Sequence, residues 1–150
     1  MTRYLTYILL LSGVVLTSCE YNSGKQKSAK EPYPIELQVE ETSNKLEQII
    51  GPSRFLMALD HHAMAQDEGV YTPPATITIF SNPKVNTALL KDDQLIGLDL
   101  PSKILCYSEA DTTKVSLAYT SGDFIAKRYG LSKELLKDYN SQMEEVVGSL

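Results

Sequence analysis

The chain predicts an α+β fold, a mostly antiparallel sheet covered by helices. Three observations carry that prediction. Short β-rich runs such as Ala75–Phe80 alternate with segments of helical spacing, and turn residues separate them. Two of the runs, 102–108 and 114–120, are joined by a polar turn and read as a hairpin. The chain closes on a helical stripe of apolar residues.

In order, Ile35-Glu36-Leu37-Gln38-Val39-Glu40 alternates strictly and reads as a half-buried strand. A short helix from Ser43 to Ile50 follows, stopped by Gly51-Pro52. Residues 54–60 form a second strand, apolar on both faces and therefore expected at the centre of the sheet. Asp60 caps a short helix running through Glu68, with Gly69 as its stop. Thr72-Pro73-Pro74 breaks the chain before a third strand, Ala75–Phe80. Asn82-Pro83 is an N-cap with proline at the first helical position, opening a helix to about Leu90. Residues 92–101 read as loop, then come the two hairpin strands. Gly122-Asp123 begins a helix that Gly130 interrupts. Ser132 caps the last helix, whose Leu135, Leu136, Tyr139, Met143, Val146 and Val147 share one face. The expected order is β-α-β-(α)-β-(α)-β-β-α.

The N-terminal region reads differently. Arg3 precedes an apolar run from Leu5 to Leu16, too short for a spanning helix, which needs about 20 residues, and of signal-peptide length. Leu16-Thr17-Ser18-Cys19 then supplies an aliphatic residue, two small residues and a cysteine. Small residues let the peptidase approach the backbone, and only a thiol forms the thioether to diacylglycerol. Residues 1–18 are therefore expected to be a lipoprotein signal and Cys19 the lipid-bearing first residue of the mature protein. Acyl chains contribute about 0.8 kcal/mol per buried methylene, so several anchor a protein firmly without spanning. Glu20 in place of aspartate after the cysteine is compatible with the outer membrane, facing the periplasm. From Glu20 to Pro34 there is no Val, Ile, Leu, Met or Phe, so residues 19–34 are expected to be a disordered tether. Residues 35–150 are one domain.

Of the 14 Lys and Arg only Arg3 falls in the signal, against 19 Asp and Glu, so the mature chain carries about −6. Such an acidic domain lacks the clustered basic residues that neutralise phosphates, and no nucleic-acid partner is expected. Of two cysteines, Cys19 is consumed by lipid. Cys106 is then a lone thiol, expected to be buried as a small core group.

At Phe55–Gly130 the sequence resembles the bacterial family called domain of unknown function 302. The matching stretches are Leu59-Asp60-His61, Phe80-Ser81-Asn82-Pro83-Lys84, Gly97-Leu98-Asp99-Leu100-Pro101 and Tyr119 to Arg128, in the family's order. Ser81 stands where the family usually has glycine, and His62 has no counterpart. The resemblance implies a β-α-β-β-β-β-α domain grouped with TATA-binding-protein-like folds, commonly a homodimer, with no established activity. A fold likeness to a DNA-binding protein carries no function by itself.

Two constellations are chemically suggestive. Asp60-His61-His62 stands where a strand yields to a helix, a place where scaffolds present polar groups. Two imidazoles fall short of the three or four ligands of a zinc site, and adjacent side chains diverge, so His61 and His62 are weak metal candidates. The bland reading is that Asp60 caps and His61 hydrogen-bonds into the fold. His61 matches the family pattern, so it is taken with Asp60 as a ligand-binding pair, and His62 is expected to be dispensable. Asn82 and Lys84 stand at a helix start, where free N–H groups hold anions, although capping alone explains Asn82. The sequence shows no nucleophile elbow, P-loop or dinucleotide fingerprint. The expected protein is a non-catalytic envelope module that binds a small ligand or a partner. The rival is a metal- or redox-linked accessory protein using His61, His62 and possibly Cys106. No cofactor is indicated.

Overall fold

The computed structural model describes residues 35–110, 112 and 114–150. The expected signal, Cys19 and the tether lie outside the described residues. Helix α1 spans Ile35–Ile50, β1 Phe55–Asp60, α2 His61–Asp67, β2 Ala75–Phe80 and α3 Pro83–Asp92. A 3-10 turn over Gln94–Leu98 leads to β3 Ser102–Tyr107 and β4 Ser116–Tyr119, then α4 Gly122–Tyr129 and α5 Lys137–Gly148.

The four strands form one antiparallel sheet in the order β1-β2-β3-β4. Thr78 faces Ile104 and Phe80 faces Ser102 across β2 and β3. One face of the sheet, built from Thr78, Phe80, Ser102, Ile104 and Cys106, is fully buried. Against it lie Leu46 and Ile50 of α1, Ile125 of α4, and Leu136, Tyr139, Met143 and Val146 of the C-terminal segment. Burying each of the large apolar groups stabilises by about 1.5–3 kcal/mol. Ser43 and Thr78, polar groups within this layer, satisfy each other at 3.1 Å.

The α+β class and the helix-covered antiparallel sheet are as expected, but the element order needs three corrections. The run Ile35–Glu40 is not a strand; it is the first half of α1. Its alternation is too short to decide, whereas Val39, Ser43, Leu46 and Ile50 recur at helical intervals and are all buried. Leu37, which a strand would turn inward with Ile35 and Val39, is 47% exposed. The sheet therefore has four strands among the described residues, not the five of β-α-β-β-β-β-α. The second correction concerns β1, which is an edge strand and not central. Its middle is left uncovered, with Leu56 56% and Met57 44% exposed, and its ladder is irregular between Phe55 and Met57. The third concerns α5, which begins at Lys137. Ser132 caps only the turn before it, accepting from the Leu135 N–H at 3.4 Å.

Caps read from the sequence elsewhere are in place. Asp60 accepts from Ala63 N–H at 3.0 Å and Asn82 from Lys84 N–H at 3.2 Å. Gly130 ends α4 at φ 66°, where a side chain would be strained. Gly122 is glycine for a different reason. Asn140 Oδ1 accepts its N–H at 2.9 Å and would stand 2.3 Å from an added Cβ. Among the described residues no helix is long and apolar enough to cross a membrane.

Candidate functional site

Asp60, His61, Asn82 and Lys84 do not form one site. β1 and β2 pair so that Phe55 faces Phe80 while Asp60 faces Thr76. Asn82 and Lys84 therefore lie at the end of the sheet where β1 starts. Asp60 and His61 lie at the other end, about 16 Å away at roughly 3.3 Å per residue.

At the Asp60 end the two histidines differ sharply in burial. His61 is exposed, and its ring makes no hydrogen bond among the described residues. His62 is the buried one, 8% exposed. Its Nδ1–H donates to the Thr72 carbonyl, and its Nε2 accepts from the Gln66 amide at 2.7 Å. The ring also meets Tyr71 edge-on, centroids 5.7 Å apart, and stands 3.8 Å from Glu36 Oε1 of α1. With both nitrogens engaged, His62 has no lone pair to offer a metal. His61 stands alone, about 100° around α2 from it. No three His, Cys, Asp or Glu residues are grouped to hold a metal among the described residues. His62, expected to be dispensable, is thus the ring that bonds into the fold, while His61, expected to pair with Asp60 at a ligand, is exposed. α2 presents its second residue, not its first, to β2 and α1.

At the other end a cleft of about 220 Å³ opens between the start of α3 and the outer side of α5. Arg54, Asn82 and Lys84 line one side, and Asp138, Gln142 and Glu145 the other. The Ser81 N–H donates to the Arg54 carbonyl at 2.8 Å, which ties the two strand ends together here. The Arg54 guanidinium donates through Nε to the Ile50 carbonyl at 3.0 Å and reaches to 3.8 Å of Glu145. Asn82 is occupied as a cap, so Lys84 is the member of the expected pair with a free-reaching charge.

Gln142 is the residue that the sequence reading missed. It is 4% exposed, and its Nε2–H donates inward to Ser102 Oγ at 3.3 Å. Tyr139 OH donates to the Thr120 carbonyl at 2.9 Å. The bond to Ser102 pairs the nitrogen end of the Gln142 amide. The other end, Oε1, has no hydrogen-bond partner. An amide three residues after Tyr139 and one before Met143 sits on the apolar stripe, and that misplaced polar residue was the available signal.

The profile of the family described as domain of unknown function DUF302 matches residues 32–150. The chain belongs to the DUF302 family. A crystal structure of an uncharacterised conserved DUF302 protein from Bacillus stearothermophilus has the same fold, with a TM-score of 0.59 at 20% identity over 74% of this chain and 86% of that one. Curated relatives are 37% identical over 73 residues, 49% of this chain. They are the fluoride-specific ion channels FluC 1 of Brucella suis and Brucella abortus, and the matched stretch is 28% and 27% of those proteins. The chain thus matches little more than a quarter of their length.

Within the DUF302 domain the resemblance motifs meet physically. Asp99 of the Gly97–Pro101 stretch accepts from Tyr129 OH at 2.6 Å and lies 3.6 Å from Arg128. The hydrogen bond to Asp99 holds the Tyr129 hydroxyl above its ordinary pKa, because only the protonated hydroxyl can donate it, and the carboxylate's charge adds to the effect. This pairing fastens the 3-10 turn to α4 and is a structural clasp. Cys106 is buried as expected, and desolvation pushes its thiol up to about 11, away from the thiolate that redox or metal chemistry needs.

Proposed function

We propose that this DUF302 protein is a lipid-anchored, non-catalytic binding module of the bacterial envelope, tethered through Cys19 and taking a small ligand in the Arg54–Lys84–Gln142 cleft. The observation that carries the binding reading is the cleft itself, where the charged side chains of Arg54, Lys84, Asp138 and Glu145 stand together at one end of the sheet. The cleft volume is below the 300–1,000 Å³ or so of drug-sized sites, so the ligand has few heavy atoms. The anchor rests on the signal and the Leu16–Cys19 motif. The relatives named as ion channels carry a similar stretch within membrane proteins, in keeping with a place at a membrane. Outer-membrane placement facing the periplasm rests on Glu20 alone.

We also propose a homodimer. Its support is the uncovered edge strand β1 with exposed Leu56 and Met57, since an unpaired apolar edge is a liability that a partner strand removes.

Two measurements test the module. Cys19→Ala should leave an uncleaved precursor without lipid; normal processing and release of that variant would refute the anchor. Thermal melting of the full-length protein in detergent against small sugars, carboxylic acids, amines, nucleotides and amino acids should raise the midpoint for at least one class, and Lys84→Ala should abolish the rise. No shift with any class would refute the binding reading.

A further inference from the structure

The sheet has a second face, and the helices that enter the core lie against the other one. Directly opposed residues of an antiparallel pair project to the same side. The register therefore sets Met57 beside Ile79, and Leu59, Ile77, Leu105 and Ala118 in one row, on the side away from the buried layer. None of these six is buried, and Met57 stands out at 44% exposed. Lys103 is the one charged strand residue on this side. Its Nζ donates to the Asp99 carbonyl at 3.3 Å, ahead of the start of β3, so the charge leaves at the end of the sheet and only the apolar stem lies on the face. A sheet face of this composition is normally packed against another layer.

We infer that two copies of the chain pack sheet against sheet through this face, around a two-fold axis that runs along the strands. This rests on the homodimer reading above and gives the partner its position. The shape of the face argues for a second copy. On its β3–β4 side it holds a hollow of about 260 Å³, lined by Ile77, Lys103, Leu105, Ala118, Tyr119 and Thr120. On its opposite border, β1, Met57 projects. Rotation about an axis along the strands exchanges the two borders and keeps the level along the strand. Met57 shares its level with Ile79 and Lys103, so it arrives at the level of the partner's Lys103 on the β4 side, where the hollow lies. A two-fold axis makes this contact twice. The edges agree. Rotation about this axis keeps strand direction, and β1 and β4 run antiparallel within one sheet, so β1 of one copy meets β4 of the other antiparallel. The open β1 edge thereby gains a neighbour. Eight strands closed in this way leave a space that side chains just fill. Strands about 4.8 Å apart with about 3.3 Å per residue give each face about 350 Å² in plan. Two faces, with the relief of their side chains and two closed edges, reach the roughly 1,000 Å² that a specific interface needs.

The experiment is disulfide trapping in the full-length protein in detergent. Within one chain Met57 and Ala118 lie three strand spacings apart, about 14 Å. That is beyond the roughly 7 Å between Cα atoms that a disulfide spans, so a bond in the double variant Met57→Cys/Ala118→Cys joins two chains. Mild oxidation should link most of the double variant into dimers. Each single variant should link less than a tenth as much, because the axis sets like borders apart. Leu105→Glu, at the centre of the face, should raise the dimer dissociation constant at least tenfold in sedimentation; should it fail to fold, the trapping decides alone. Met57→Cys linking by itself as readily as the double variant would overturn the face contact in favour of β1 paired with β1, and leave the homodimer standing. A dimeric parent whose double variant does not link, or whose folded Leu105→Glu variant dimerises unchanged, would do the same. A monomeric parent at tens of micromolar overturns both readings together.

Discussion

Replacing His62 by alanine should destabilise the domain strongly, and replacing His61 should not. The His62 ring donates to Thr72 and accepts from Gln66, and each such bond contributes about 0.5–1.5 kcal/mol net. Its edge-on contact with Tyr71 adds about 0.5–1.5 kcal/mol. Truncation also leaves the half-buried Thr72 carbonyl without its donor. Together these give about 2–4 kcal/mol. For a domain of this size each kcal/mol moves the melting midpoint by about 3–6 °C, so a fall of about 6–24 °C is expected. His61 is exposed, and a surface substitution there should stay within about 0.5 kcal/mol. Thermal melts of the two variants beside the parent, followed by far-UV circular dichroism, make the comparison. A silent His62→Ala, or a His61→Ala that costs as much, would refute the assignment of the fastening role to His62.

The alkaline limb of stability should report Cys106 and Tyr139. Burial raises the thiol from 9.0 to about 11 and the Tyr139 hydroxyl from 10.0 to about 12, so their contribution is complete below pH 9 and is lost as pH rises through those folded values. The urea midpoint should fall from pH 9 upward, and Cys106→Ala should flatten the first part of that fall; an unchanged profile would show that the thiol does not titrate with burial. Native Cys106 should resist thiol-labelling reagents, and rapid labelling would contradict its burial. Sedimentation of the full-length protein in detergent should show a dimer that Met57→Lys converts to monomer; a monomeric parent at tens of micromolar would refute the β1 interface.

What could be read from the sequence was whatever local chemistry decides. Asp60 before His61, Asn82 before Pro83 and Gly130 after Tyr129 mark helix ends by capping and by backbone freedom, and all three ends are where those residues put them. The run 102–108 alternates in burial as a strand with one covered face should. What could not be read was what neighbours decide. Ile35–Glu40 fits both periods over six residues, and only Leu46 and Ile50, farther along the same helix, set its phase. Phe55–Leu59 is apolar enough for a central strand, yet strand order is a property of pairing, and no residue within β1 encodes that it has one neighbour. The fastening role of His62 escaped the sequence for the same reason. Whether a ring turns inward at the first or the second position of α2 depends on where β2 and the Tyr71–Thr72 loop lie.

The cleft shows how a site escapes a reading based on motifs. Its parts are a residue before β1, a helix start after β2 and two turns of α5, so they are separated by up to about ninety positions and share no motif. The signal at each position is faint: Asn82 is explained by capping, and Arg54 by its bond to Ile50. Gln142 is the exception, because its explanation is incomplete. A buried amide with one end satisfied and the other bare is a cost that stability alone would remove by an apolar substitution. Here the nitrogen end is held by the buried Ser102, and the oxygen is enclosed without a partner. An amide paired at one end only is a cost that the fold carries at this position. The same cannot be said of His62, whose two nitrogens are both answered within the domain.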